Sequence, residues 1–174
     1  MEGHYEMETD ETYRVRVGEE ALYFSAAHFI TYGGSECEHL HGHNYRVQVA
    51  LGGTLNRNAY VYDFVRLREL VADLLSELDH RLLLPEENPA FEIRRSRDEV
   101  EVAVRGREYR FPSSDVVHLP VRNTTAEELA SHLADRIVAA IEERGELDGL
   151  DDLEVEVEES PGQSAVHRRS LPAP

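Results

Sequence analysis

His41 and His43, at the head of an alternating run, constrain this chain more than any other feature. From His43 to Leu51 the sequence sets Tyr45, Val47, Val49 and Leu51 against Asn44, Arg46, Gln48 and Ala50, the period of a strand with one buried face. Residues two apart on a strand project to the same side, so both imidazoles face one way. A third nitrogen is offered by His28, which ends the strand-like run Phe24-Ser25-Ala26-Ala27-His28. The pattern H-x12-H-x-H supplies three neutral ligands and leaves a fourth position open, as catalytic rather than structural zinc requires. Three imidazoles suit zinc best, although Co²⁺ or Ni²⁺ would also be accepted.

Just upstream, the segment 35–45 holds the only cysteine, Cys37, between Glu36 and Glu38 in a Gly-rich loop. Two roles are open to this thiol. It could be a fourth ligand, or it could be a base whose pKa falls beside the metal; the base role keeps the site open.

A chain of 174 residues with 41% hydrophobic content fits one well-packed domain. No apolar run approaches a membrane span, and the acidic N-terminus lacks the apolar core of a signal peptide. A single cysteine cannot form an internal disulfide, so a cytoplasmic location is expected. The net charge of −17 argues against nucleic acid as a partner. All basic residues are Arg and none is Lys, which fits a salt-rich cytoplasm and equally a GC-rich genome. A local Arg cluster could still receive an anionic small molecule.

Periodicity predicts strands at 13–17 and 21–25 around the turn Gly18-Glu19-Glu20, with residues 31–38 as a loop. Helices are predicted from Asp63 as N-cap through about Leu78, and from a capping box of Thr124 and Glu127. The first stripe is Phe64, Leu67, Val71, Leu74, Leu75 and Leu78; the second is Leu129, Ala130, Leu133, Ile137, Ala140 and Ile141. Strands are again expected at 153–157 and 164–168, paired across Pro161-Gly162. Glu99 to Phe111 reads as a β-hairpin about Arg105-Gly106, within an insertion of about 92–112. The tails, 1–11 and 170–174, are expected to be loose. The sum is an α+β domain with both helices on one face of an antiparallel sheet. Asp79-His80, ending the first helix, is either a helix-terminal histidine stabilised by the dipole or a carboxylate-imidazole pair for proton transfer.

Together, Phe24-Ser25-Ala26-Ala27-His28, Cys37-x-x-x-His41-Gly42-His43-Asn44-Tyr45, Tyr62-Asp63-Phe64, Leu78-Asp79-His80, Asn123-Thr124-Thr125-Ala126-Glu127 and Glu159-Ser160-Pro161 resemble the 6-pyruvoyl-tetrahydropterin synthase family, which includes 6-carboxytetrahydropterin synthase. The matching residues run in family order from about Tyr13 to Arg168. The resemblance implies a tunnelling fold (T-fold) with a four-stranded antiparallel sheet, two helices on one face and an inserted hairpin. Such subunits join as a homohexamer, a dimer of trimers with sites at subunit interfaces. It implies one Zn²⁺ per subunit on His28, His41 and His43, Cys37 as base, and Asp79 with His80 as proton relay. Glu159 and Thr125 are implied to bind substrate, Glu159 as the anchor of the pterin ring. The implied substrate is 7,8-dihydroneopterin triphosphate, cleaved to 6-carboxy-5,6,7,8-tetrahydropterin in deazaguanine tRNA-nucleoside (queuosine or archaeosine) biosynthesis. The alternative within the family is triphosphate elimination to the 6-pyruvoyl product; from another class, the alternative is a zinc- and pterin-binding module without turnover.

Three departures from the family pattern stand out. Arg81-Leu82-Leu83-Leu84-Pro85 follows Leu78-Asp79-His80 where the family often has Asn, and the 99–111 hairpin is additional to the shortest members. Cys37 is followed at once by Glu38, which in some members replaces the cysteine and cleaves the side chain to 6-hydroxymethyl-dihydropterin. Arg46, Arg81 and Arg122 are candidates for the triphosphate by proximity to motifs alone.

Overall fold

The computed structural model describes residues 11–18, 22–34 and 36–171. The expected turn at 19–20, Ala21, Ser35 and most of both tails lie outside the described residues. The fold is organised around one long strand, β5 (His41–Gly53). Its odd-numbered side chains Tyr45, Val47, Val49 and Leu51 are fully buried, as the alternation requires. Two shorter strands share one of its edges end to end. β1 (Tyr13–Val17) pairs antiparallel with 49–53, and β2 (Tyr23–His28) pairs antiparallel with 41–46. Both strands on either side of the expected turn therefore take hydrogen bonds from β5.

Between β2 and β5 lie two short paired strands, β3 (Thr31–Tyr32) and β4 (Glu36–Cys37), where a plain loop was expected. Helix α1 (Phe64–Ser76) follows, with Asp63 as N-cap accepting from the Val65 and Arg66 amides. Leu67, Leu70, Val71 and Leu75 are its buried face, whereas Phe64, expected on that stripe, is exposed at the helix start. Next come β6 (Arg81–Pro85), β7 (Phe91–Arg95), β8 (Glu99–Val104), β9 (Arg107–Pro112) and β10 (Val116–Leu119), then α2 (Ala126–Glu143), β11 (Leu150–Ser160) and β12 (Gln163–Ser170).

The main sheet has seven strands, ordered β10-β6-β2-β5-β11-β12 with β1 beside β5. It exceeds the expected four antiparallel strands because β6 and β10 extend it by parallel pairing on the far side of β2. Leu82, Leu83 and Leu84 of β6 are all buried. Such a run, apolar on both faces, lacks the alternation by which the other strands announce themselves. The expected pairing of β11 with β12 across Pro161-Gly162 is present. Both helices lie over one face of this sheet and share its core with the inward side chains of β5 and β11.

The additional element is a three-stranded antiparallel sheet, β7-β8-β9, rather than a two-stranded hairpin. β7 was missed because Phe91-Glu92-Ile93-Arg94-Arg95 is short and charged. This small sheet has its own apolar cluster, Val100, Val102 and Val104 packing with Phe29, Leu82, Leu84 and Phe91.

Candidate metal centre and active site

The three histidines converge because of strand register. His28 lies directly opposite His41 across the β2–β5 pair, and His43 lies two residues along on the same face. Gly42 between them permits the approach, since a Cβ there would meet the Ala26 carbonyl oxygen at 2.9 Å. One ligand nitrogen from each histidine falls within 4.8 Å of the others, and the Nε2 atoms of His28 and His41 are 3.1 Å apart.

Main-chain carbonyls set the tautomers. His28 Nδ1 donates to the Thr124 carbonyl at 3.0 Å and His41 Nδ1 to the His39 carbonyl at 2.8 Å, which leaves the Nε2 lone pairs facing inward. His28 is fully buried. Burial pushes its pKa down to about 4; the neighbouring His41 and His43 add to this, and the Thr124 carbonyl opposes it. Convergent ring nitrogens, two of them with the opposite nitrogen held by a carbonyl, are the arrangement a divalent metal takes.

Two carboxylates reach this cluster. Glu159, at the end of β11, places Oε1 3.6 Å from His28 Nε2 and 3.9 Å from His43 Nε2. The buried Tyr45 hydroxyl donates to that same oxygen at 3.4 Å. Burial first, and Glu159 second, raise the Tyr45 pKa, so it stays protonated as a donor. Glu38 places Oε2 3.5 Å from His41 Nε2. A cleft of about 670 Å³ opens over His43 and Glu159, bordered also by Tyr23, Asn44, Arg46 and Ser160.

Cys37 ends β4. Its thiol lies 3.5 Å from the Glu38 carbonyl and packs against the Phe29 cluster of the small sheet. Burial pushes its pKa up, with Arg107 and Arg105 pulling the other way. These are the effects of the protein's own groups; the fall expected of this thiol is one that bound zinc would cause.

Asp79 and His80 form a pair, with His80 Nδ1 2.8 Å from Asp79 Oδ2. Asp79 Oδ1 accepts from the Ser25 amide at 2.8 Å, and the His80 amide donates to the Ser25 carbonyl at 2.6 Å. α1 has already ended at Ser76, and His80 takes a positive φ of 56°. This histidine is held by β2 rather than by a helix dipole, and its ring is largely exposed. Among the described residues, no hydrogen bond or ion pair joins Asp79 or His80 to the three histidines.

The second helix is capped one residue later than expected. Thr125, not Thr124, is the N-cap, and its hydroxyl accepts from the Glu128 amide. Thr124 is fully buried; its hydroxyl donates to the Phe29 carbonyl at 2.8 Å while its own carbonyl holds His28. Capping-box spacing concealed that role. Of the arginines near motifs, Arg46 is paired with Glu158 and Arg122 with Glu128.

The sequence pattern of the family described as 6-pyruvoyl tetrahydropterin synthase matches residues 18–170. The chain belongs to this family. A putative 6-carboxy-5,6,7,8-tetrahydropterin synthase of Methanocaldococcus jannaschii is 35% identical over 153 residues, covering 86% of this chain and 91% of that one. A dihydroneopterin monophosphate aldolase of Pyrococcus furiosus is 40% identical over 60 residues, 34% of this chain and 50% of that one. The crystal structure of 6-pyruvoyl tetrahydropterin synthase from Plasmodium vivax superposes with a TM-score of 0.87 at 31% identity, covering 93% of this chain and all of that one. Two further structures of that protein carry Ala or Cys in place of a glutamate described as a catalytic residue. Tetrahydropterin synthases are lyases, and this member of the family is an enzyme of that class with the T-fold. Among the described residues, no helix is long and apolar enough to cross a membrane.

Proposed function

We propose that the chain is a zinc-dependent 6-carboxytetrahydropterin synthase, cleaving 7,8-dihydroneopterin triphosphate, with water, to 6-carboxy-5,6,7,8-tetrahydropterin, acetaldehyde and triphosphate. The observation that carries this reading is the convergence of His28, His41 and His43, with Glu38 3.5 Å from His41 and Cys37 one residue before it at the end of β4. The name of the Methanocaldococcus jannaschii relative supports the choice of product.

The three Nε2 atoms would hold one Zn²⁺ per subunit. When bound, the metal supplies Lewis acidity to the side-chain oxygens of the substrate. Glu159 accepts hydrogen bonds from the 2-amino group and ring nitrogen of the pterin, while Tyr45 orients that carboxylate. Thr125 contributes a further contact to the substrate. Cys37 removes a side-chain proton, and Asp79 holds the His80 tautomer so that the ring can return one. Sites completed between subunits, as in a hexamer built from two trimers, would bring the pair of one chain to the triad of another. A thiol that must stay reduced suits a cytoplasmic enzyme.

A second reading assigns the proton transfer to Glu38 and the product to 6-hydroxymethyl-dihydropterin. It is favoured by the 3.5 Å approach of Glu38 to His41, by the catalytic glutamate of the Plasmodium vivax protein, and by the Pyrococcus furiosus aldolase. The deciding experiment is mass spectrometry of products from zinc-loaded enzyme and dihydroneopterin triphosphate. A 6-carboxy product supports the first reading and a 6-hydroxymethyl product the second; a 6-pyruvoyl product alone sinks both.

A further inference from the structure

We propose that Arg107, on the additional sheet, is a positioning residue that fixes which of Cys37 and Glu38 faces the histidines. Its strand leaves a two-residue turn, Arg105-Gly106, with φ of 50° and 75°, the left-handed pair that closes a tight hairpin without splaying it. Behind the turn, the sheet is anchored through Val100, Val102 and Val104 to Phe29, Leu82 and Leu84. The turn therefore stands over the Cys37 loop as a fixed point.

Arg107 Nη2 donates to the Cys37 carbonyl at 2.6 Å, and Nη1 donates to His39 Nδ1 at 3.2 Å. These contacts lie one on each side of Glu38. Arg105 Nη2 holds the Gly34 carbonyl at 2.8 Å, and the Glu38 amide donates to the Ile30 carbonyl at 2.8 Å. β3 and β4 are only two residues each, too short a ladder to hold a register by itself. Cys37 ends β4 and Glu38 is the first residue beyond it. Gripping the backbone at Cys37 and the side chain of His39, on either side of Glu38, holds the Glu38 carboxylate toward His41 and the thiol against the Phe29 cluster. A backbone rotation at this junction would change which group is presented. The planar guanidinium makes both contacts at once, which a lysine ammonium on a flexible stem does not reproduce.

The inference rests on the proposed reading, in which Cys37 and Glu38 lead to different products. Arg107→Ala and Arg107→Lys are compared with the unaltered enzyme, all zinc-loaded. The readouts are zinc content, the ratio of 6-carboxy to 6-hydroxymethyl product, and alkylation of Cys37 by iodoacetamide at pH above the titration of the thiol. Arg107→Ala should keep its zinc, alkylate about tenfold faster and move the ratio about tenfold toward the 6-carboxy product, within the hundredfold that a displacement of roughly 1 Å costs. Arg107→Lys should fall between the two, and it carries the comparison if Arg107→Ala does not fold. Unchanged alkylation and an unchanged ratio overturn the proposal. Alkylation needs no turnover, so a wrong reaction assignment shows as missing products in the unaltered enzyme, whereas a wrong assignment of Arg107 shows as an unaltered alkylation rate.

Discussion

The Glu38 carboxylate lies 3.5 Å from Nε2 of His41, while the thiol one residue earlier is turned into an apolar cluster. Cys37 ends β4 and Glu38 is the first residue beyond it, so two chemically competent groups are neighbours in the chain and meet different surroundings.

The first expectation concerns these two groups. Glu38→Gln should abolish the 6-hydroxymethyl product and Cys37→Ala the 6-carboxy product, each by about 10²–10⁴-fold, the usual worth of a positioned acid or base. Product mass spectrometry on the two variants checks this. Full retention of both products by Cys37→Ala would remove the thiol from the mechanism.

Thr124→Val should weaken the metal site without touching a ligand. It removes the hydroxyl that ties Thr124 to the Phe29 carbonyl, loosening the carbonyl that orients His28. Loss of such an outer contact costs about 10–100-fold in metal affinity, and the orphaned buried carbonyl costs about 1–3 kcal/mol of stability. Chelator competition and urea unfolding measure the two effects separately.

Asp79→Asn should lower turnover by about 10²–10⁴-fold, because the amide offers no charge to support a protonated His80. The Ser25 amide foremost, with His80 adding, holds the Asp79 carboxyl below the usual aspartate range. A folded pKa below the unfolded value of about 3.9 means that this contribution is present above that pH and lost as pH falls through the folded value. The stability advantage of the unaltered protein over Asp79→Asn should therefore shrink in acid below about pH 4. Denaturant titrations across that range would show otherwise if the pair were unimportant to the fold.

His132, on α2, responds to acid in the same sense for another reason. Burial, with Arg136 adding, holds its pKa low, against Asp135 and Glu77. The folded protein thus prefers the neutral ring, and the benefit is present above the unfolded value of about 6.5 and lost as pH falls below it. His132→Gln does not titrate, so its melting temperature should decline less between neutral and mildly acid pH. Equal slopes for the two proteins would refute this.

Replacing Ile137, fully buried in the α2 face, by Ala should cost about 2–5 kcal/mol through lost burial and the cavity left behind. Chemical unfolding of the variant gives the figure directly.

Some of this was legible in the chain and some was not. The period-two run at 43–51 and the helical stripes at 64–78 and 129–141 correspond to β5, α1 and α2 because half-buried strands and amphipathic helices write their period into the order of residues. β6 left no such mark, since its leucines are buried on both faces, and the sheet was expected to be smaller for that reason. Thr124 was mistaken for a cap because it and Thr125 both stand at capping distance from a glutamate. Only the fold shows which hydroxyl the helix uses and which one reaches β2.

The sequence by itself determined the three histidines, their shared face and the order of motifs around them, because these depend on spacing along single strands. The tertiary structure alone decided that Glu38 approaches His41 while Cys37 packs on the Phe29 cluster, that Glu159 joins the histidines, and that Asp79-His80 is held by β2. Those outcomes depend on register between strands and on the arginines that the small sheet carries to β4. Contacts between residues far apart in the chain leave no periodic trace in their order, and here they set the chemistry.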